Sequence, residues 1–272
     1  MTMLPDLILP DDVSTLAARY AEDGVVPVRG LLRGDLLAAL IAQVAAFRAG
    51  DGEGADARTS VKHLPGRSIV RGLAHRAGPM RDLAENDAVA RFLAAIAGVP
   101  SVRYWNDLTL AYAPAAPAGE SAWHHDIPAF PLRAQAMPTL WIALSDVDWD
   151  SSPLVFAPGS HKDGALYPPS TSGEADPLPG YSVMPDWEAR IDSGEVERLW
   201  WPIQPGDAVV MHSHVVHCTP ANRNEEHERV SILTRWLSGD AVWHRDAYST
   251  PVPGIPERDW KPGAPAPTSF LT

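Results

Sequence analysis

The chain changes its hydrophobic period once, near residue 100, and that change limits the folds open to it. Before it, apolar residues recur at helical spacing: Val13, Leu16, Ala17 and Tyr20; then Leu36, Leu37, Leu40, Ile41, Val44 and Phe47; then Val89, Phe92, Leu93 and Ile96. Asp12 or Ser14 can cap the first of these helices and Gly24 stops it, Gly50 ends the second ahead of a polar loop at 51–59, and the third spans about 87–97. A short strand, 25–28, follows the first helix. After Val99 the period falls to two. Leu108, Leu110 and Tyr112 alternate with Thr109 and Ala111, while Leu140, Ile142 and Leu144 alternate with Trp141, Ala143 and Ser145. Similar strands are expected at 208–211 and 229–237, giving helices packed on a mainly antiparallel β core.

No internal repeat divides the 272 residues, so one domain is expected: a helical support region (1–100), a β core (101–240) and a C-terminal extension (241–272). Within the core, residues 163–204 are rich in Pro, Gly and Ser and too long for an ordinary connection. They are expected to form a lid whose Trp187, Trp200 and Trp201 close onto a ligand. A net charge of −12 disfavours nucleic acid and anionic membranes, and no run of roughly 18 apolar residues occurs. The first residues lack the positive cluster of a secretory signal, and the one cysteine, Cys218, has no internal partner. A cytoplasmic protein acting on a small molecule is expected. Ten tryptophans suggest an aromatic-walled cavity, with Trp105, Phe130, His125 and Trp187 as candidate walls or core residues.

In Trp123-His124-His125-Asp126, His124 and Asp126 are two residues apart, so an extended strand would project both from one face and turn Trp123 and His125 the other way. A third ligand must come from elsewhere, and His212-Ser213-His214-Val215-Val216-His217 offers three histidines just after a strand. Two imidazoles and one carboxylate on one side of a metal leave three positions open, the facial arrangement of ferrous oxygenases. A structural zinc would instead be closed by four ligands, usually thiolates, and Cys218 is alone. An isolated His-x-Asp pair is more often two hydrated side chains on the surface that bind nothing. Arg229, twelve residues after His217, shares a strand face with Ser231 and Leu233. A barrel-facing guanidinium needs an anion, either an internal Glu or a ligand carboxylate that its planar fork grips with two bonds.

These residues belong to a longer series in fixed order: Tyr20-Ala21-Glu22-Asp23-Gly24-Val25-Val26, Trp123-His124-His125-Asp126, Pro158-Gly159-Ser160-His161-Lys162, Gly206-Asp207, His217 and Arg229. In this series the sequence resembles the phytanoyl-CoA dioxygenase (PhyH) family of iron(II)/2-oxoglutarate-dependent oxygenases. The resemblance implies a double-stranded β-helix, a cupin-like jelly-roll with helices packed outside, holding Fe(II), 2-oxoglutarate and dioxygen at its open end. By position it puts the metal ligands on His124, Asp126 and His217, and the 2-oxoglutarate contacts on Arg229, Thr219, Trp141 and Thr109. The implied activity is a dioxygenase that hydroxylates an unactivated C–H of a small organic molecule with release of succinate and CO2. Desaturation, cyclisation, epimerisation and a non-catalytic metal-binding barrel are the alternatives. Ser151-Ser152-Pro153 stands where many members carry Asn-Gly, which changes a turn. Asp126 is retained, so the variant of this site that opens a halide position is not expected. His161 is expected to be a hydrogen-bonding residue of a structural turn. A CoA thioester would need a basic patch that the sequence does not show, which favours a free small molecule.

Overall fold

The structure, a computed structural model, describes residues 4–50, 56–116, 120–169, 178–245, 248–252 and 254–271. Helix α1 (Val13–Asp23) begins at Asp12, whose carboxylate accepts the Thr15 N–H, and ends at Gly24 in the left-handed region (φ 78°). The chain passes directly into β1 (Val25–Val28). Helices α2 (Gly34–Arg48), α3 (Pro79–Ala84) and α4 (Asp87–Ala97) follow, with the Asn86 side chain capping α4 through the Ala88 and Val89 N–H groups. Between α2 and α3 lies a hairpin, β2 (Ser60–Leu64) and β3 (Arg67–Arg71), that the hydrophobic pattern does not announce, because Lys62, His63, Arg67 and Arg71 interrupt its apolar alternation.

The remaining strands are β4 (Val102–Tyr112), β5 (Ser121–His124), β6 (Leu132–Arg133), β7 (Thr139–Ala143), β8 (Val155–Phe156), β9 (Ala208–Met211), β10 (His217–Thr219), β11 (Arg229–Ser238) and β12 (Val242–Trp243). They form a seven-stranded sheet, β1-β9-β7-β11-β4-β3-β2, a three-stranded sheet, β5-β10-β8, and a two-stranded ribbon, β12-β6. The large sheet is apolar on both faces. Leu140, Ile142, Val210 and Ile232 pack outward with the helices, while Trp141, Ala143, Val209 and Leu233 pack inward with Phe156 of the small sheet. This is the expected jelly-roll with its helices outside, and the pleat decides which residues reach its interior. Among the described residues no helix is long and apolar enough to cross a membrane.

Gly206-Asp207 closes the turn into β9. The Asp207 carboxylate accepts the Gly30 N–H and pairs with Arg29, and Gly206 takes φ +87° with no room for a Cβ, which would sit 2.1 Å from the Leu32 carbonyl. Gly206→Ala is expected to destabilise the protein by about 1–3 kcal/mol, read as a lower urea midpoint. An unchanged midpoint would show that this turn yields freely.

Candidate metal centre and cosubstrate site

β5 pairs antiparallel with β10 so that His217 lies directly opposite His124, the ring centroids 4.3 Å apart. Each ring is oriented by the carbonyl two residues before it: His124 Nδ1 is 2.8 Å from Ala122 O and His217 Nδ1 is 3.0 Å from Val215 O. Nδ1–H therefore donates in both, and both Nε2 lone pairs remain available. Asp126 completes the group, with one donor atom from each residue lying within 4.8 Å of the others. Among the described residues this is the one His, Cys or acidic cluster tight enough to hold a metal.

Asp126 reaches the cluster by a route other than the expected strand alternation. β5 ends at His124, and Asp126 adopts helical dihedrals (φ −76°, ψ −28°) at the head of a 3-10 turn, Ile127–Ala129. That turn swings the carboxylate back toward the imidazoles. His125 and Trp123 do point away: His125 Nε2 accepts the Tyr167 N–H at 2.9 Å and Trp123 Nε1 donates to Glu188 at 3.0 Å. Burial raises the Asp126 carboxyl's pKa, but Arg235, His217 and His124 outweigh it and hold it below the ordinary carboxylate value. Burial, reinforced by His124, pushes His217 down to about 4, so its lone pair is free at neutral pH. Two imidazole nitrogens and one carboxylate oxygen on one side suit a ferrous ion.

Neither His212 nor His214 joins the cluster. They pack against one another at a tilt with centroids 5.3 Å apart, and His212 packs at a tilt against His161, which bonds the Ala21 carbonyl as a turn residue. Burial comes first among the causes that push His212 to about 3 and His214 and His125 to about 4. These side chains stay neutral in the folded chain but protonate in the unfolded chain near 6.5, so the unfolded state binds more protons. Stability of the metal-free protein is therefore expected to fall as pH drops from about 6.5 to about 4, each group contributing up to ~1.4 kcal/mol per pH unit. Equal denaturation midpoints at pH 7.5 and pH 5 would contradict this.

The interior face of the large sheet carries a second chemical feature. Arg229 is 1% exposed, and its guanidinium carbon lies 5.0 Å from the Tyr112 ring centre and 5.2 Å from that of Trp141. Among the described residues its Nε and Nη1 have no hydrogen-bond partner, nor do Ser231 Oγ and Trp141 Nε1 on the same face. A buried cation without an anion is costly, so this cradle fits a carboxylate ligand and excludes the internal Arg–Glu pair. Thr219 is buried two residues beyond His217, its hydroxyl 2.8 Å from Ser121 Oγ.

Thr109 is not brought to the site. It pairs with Ile232 and Val70, which face the helices, while its neighbours Leu108 and Leu110 face the interior. The period-two pleat thus overturns its placement among the cosubstrate contacts. Thr109→Val is expected to leave the 2-oxoglutarate dissociation constant unchanged, and a tenfold increase would return Thr109 to the site.

Beside Asp126 opens a cavity of about 1080 Å³. Trp105 and Phe130 line it as expected, whereas His125 and Trp187 pack elsewhere, in a cluster outside the small sheet. Arg235, unnoticed in the sequence, lies in the wall with Nη2 3.3 Å from Asp126 Oδ2. It stands six residues from Arg229 on the same face of β11, and extending the alternation along that strand would have found it. Much of the remaining wall comes from the C-terminal extension, through Val252, Ile255 and Phe270. Among the described residues, none of 163–204 lines this cavity. That segment holds α5 (Trp187–Asp192); Trp187 packs on Trp123, Trp200 on Trp149 and Trp201 on Phe156. The expected lid's residues 170–177 lie outside the described residues.

A jelly-roll with this donor set and a buried, anion-seeking arginine defines a non-haem iron(II)/2-oxoglutarate-dependent oxygenase. The sequence profile of the phytanoyl-CoA dioxygenase (PhyH) family matches residues 20–231, and the chain belongs to that family. No curated protein sequence matches the chain. Among solved structures, it is similar to the epimerase SnoN in complex with Fe3+, alpha ketoglutarate and nogalamycin RO (TM-score 0.74, 25% identity, 97% of this chain and 98% of that one). It also resembles the alpha ketoglutarate-dependent carbocyclase SnoK from nogalamycin biosynthesis (TM-score 0.68, 19% identity, 96% and 94% covered). EctD from S. alaskensis with 2-oxoglutarate and 5-hydroxyectoine shares the fold at TM-score 0.67 and 15% identity, with 97% and 90% covered.

Proposed function

We propose that His124, Asp126 and His217 hold the ferrous ion, that Arg229 with Trp141 and Thr219 holds 2-oxoglutarate, and that the cavity beside Asp126 presents a small organic molecule for oxidation at one C–H bond. The observation that carries this reading is the Arg229 guanidinium, buried without an anion on the interior face of the barrel. Bound iron, with 2-oxoglutarate and dioxygen, supplies an oxidation coupled to release of succinate and CO2. The chain supplies position. The Ala122 and Val215 carbonyls fix the imidazole planes, and Arg235 engages Asp126 Oδ2, steering the carboxylate. Arg229 fixes the distal carboxylate of the cosubstrate, and Trp105 and Phe130 keep water from the reacting carbon. In this reading residues 101–240 carry the chemistry, 241–272 wall the substrate cavity, and 1–100 give support and a further share of that wall through Arg71 and His75.

Hydroxylation is the outcome proposed first. The similarity to the SnoN epimerase favours a second, in which hydrogen is removed from one face of a carbon and returned to the other, an external reductant such as ascorbate supplying the two further electrons that dioxygen requires. The iron-loaded protein, screened against small cyclic molecules, should form one succinate per 2-oxoglutarate consumed, faster with a true substrate. A product heavier by one oxygen atom identifies hydroxylation and one of unchanged mass identifies epimerisation. Absence of succinate under all conditions, substrate-free turnover included, would end the proposal.

A further inference from the structure

The cavity beside Asp126 holds more hydrogen-bond donors than the protein satisfies. Arg71 stands at the solvent-exposed end of β3 on the interior face, in register with Leu108, lines the cavity, and has no hydrogen-bond or ion-pair partner among the described residues. Arg235 keeps a buried Nε with no partner, and its other contacts are long, 3.3 Å to Asp126 and 3.4 Å to Asn106 Oδ1. Trp105 Nε1 and His75 Nδ1, in the same wall, are also buried without hydrogen-bond partners among the described residues.

The nearby carboxylates do not answer these charges. Asp107 is taken up by the Tyr104 hydroxyl and the Leu73 and Ala74 N–H groups, Asp56 is paired with Arg58, and Asp126 faces the metal cluster. Among the described residues Arg71 thus faces the cavity without a counter-charge, beside an Arg235 whose one carboxylate partner, Asp126, also belongs to the metal cluster, in a chain of net charge −12. Burial and the Arg235 charge both push the Arg71 pKa below its ordinary value, as like charges sharing a cavity do. The other part of the wall is apolar, with Phe130, Val252, Ile255 and Phe270. Arg229 lies six residues along β11 from Arg235, about 20 Å at ~3.3 Å per residue, so this anion site is separate from the cosubstrate cradle.

Resting on the oxygenase reading, we propose that the substrate is an organic acid, its carboxylate held between Arg71 and Arg235 and its apolar body against Phe130 and Phe270. A neutral substrate would leave Arg71 without a counter-charge beside the like-charged Arg235. A carboxylate matches their planar forks and can also accept the Trp105 N–H.

The test uses the iron-loaded protein, anaerobic and saturated with 2-oxoglutarate, so that the Arg229 end is filled. Calorimetric titration compares benzoate, cyclohexanecarboxylate and 1-naphthoate, each with its primary amide. At least one acid should bind roughly tenfold or more tightly than its amide. Arg71→Gln should abolish that preference, and Arg71→Lys, which keeps the charge, should retain part of it. Acids binding no tighter than their amides, or a preference undiminished in Arg71→Gln, would overturn the proposal. The absorption change on adding 2-oxoglutarate to the iron protein, recorded first, separates the two readings. Without it the oxygenase assignment fails; with it and no acid preference, only the substrate class fails.

Discussion

Asp126→Ala is expected to lose at least ~100-fold in succinate formation, beyond the 10–100-fold typical of groups that merely support a metal ligand. Asp126 is the one carboxylate in a cluster whose other members are imidazoles, and it also contacts the Arg235 guanidinium. Truncation removes a ligand and leaves Arg235 as an unpaired cation beside the metal, so iron is held less tightly and less directionally. His217→Ala should behave similarly. His212→Ala and His214→Ala should keep iron, because those rings pack against one another and Tyr20 and take no part in the cluster. Full turnover by Asp126→Ala with ferrous iron present would remove the three-residue assignment.

Arg229→Met is expected to raise the 2-oxoglutarate requirement tenfold to a few hundredfold, corresponding to ~1.5–3 kcal/mol for a charge-assisted, bidentate contact. Iron affinity should change far less, since Arg229 belongs to the face lined by Tyr112 and Trp141 rather than to the cluster. The same substitution carries an expectation of opposite sign. In the cosubstrate-free protein it replaces a fully buried, partnerless cation by an apolar side chain of similar length, which relieves a desolvation cost. The variant should therefore melt no lower than the parent without 2-oxoglutarate, yet gain little stability when it is added. A lower melting temperature together with an unchanged titration would make Arg229 a structural residue.

Where local chemistry and packing agree, the sequence was readable. Asp12 and Gly24 bound α1, β1 and β9 fall at the expected residues, and the alternation around Trp141 sorts Leu140 and Ile142 to the helices and Trp141 and Ala143 to the interior. The three clustered side chains were also readable, because their residue types and the order of the motifs point one way. The path of Asp126 was not, since the helical turn at Ile127-Pro128 breaks the strand that alternation assumes. Thr109 was misplaced because carrying a role over by position ignored the pleat, although Leu108 and Leu110 already stated it. The substrate cavity was least legible. Its wall depends on contacts distant in sequence, among them the C-terminal extension, where Trp260 stacks on Trp243 at 5.4 Å and Phe270 reaches the cavity. No local pattern encodes such contacts.

Anaerobic titration of the metal-free protein with Fe(II), and then with 2-oxoglutarate, tests the central assignment most directly. One iron per chain should bind, and visible charge-transfer absorption should then grow to saturation at one 2-oxoglutarate per chain. That absorption should be lost in Asp126→Ala and shifted to higher 2-oxoglutarate concentration in Arg229→Met. Iron that binds equally well without Asp126, or a complex whose spectrum ignores 2-oxoglutarate, would contradict the assignment.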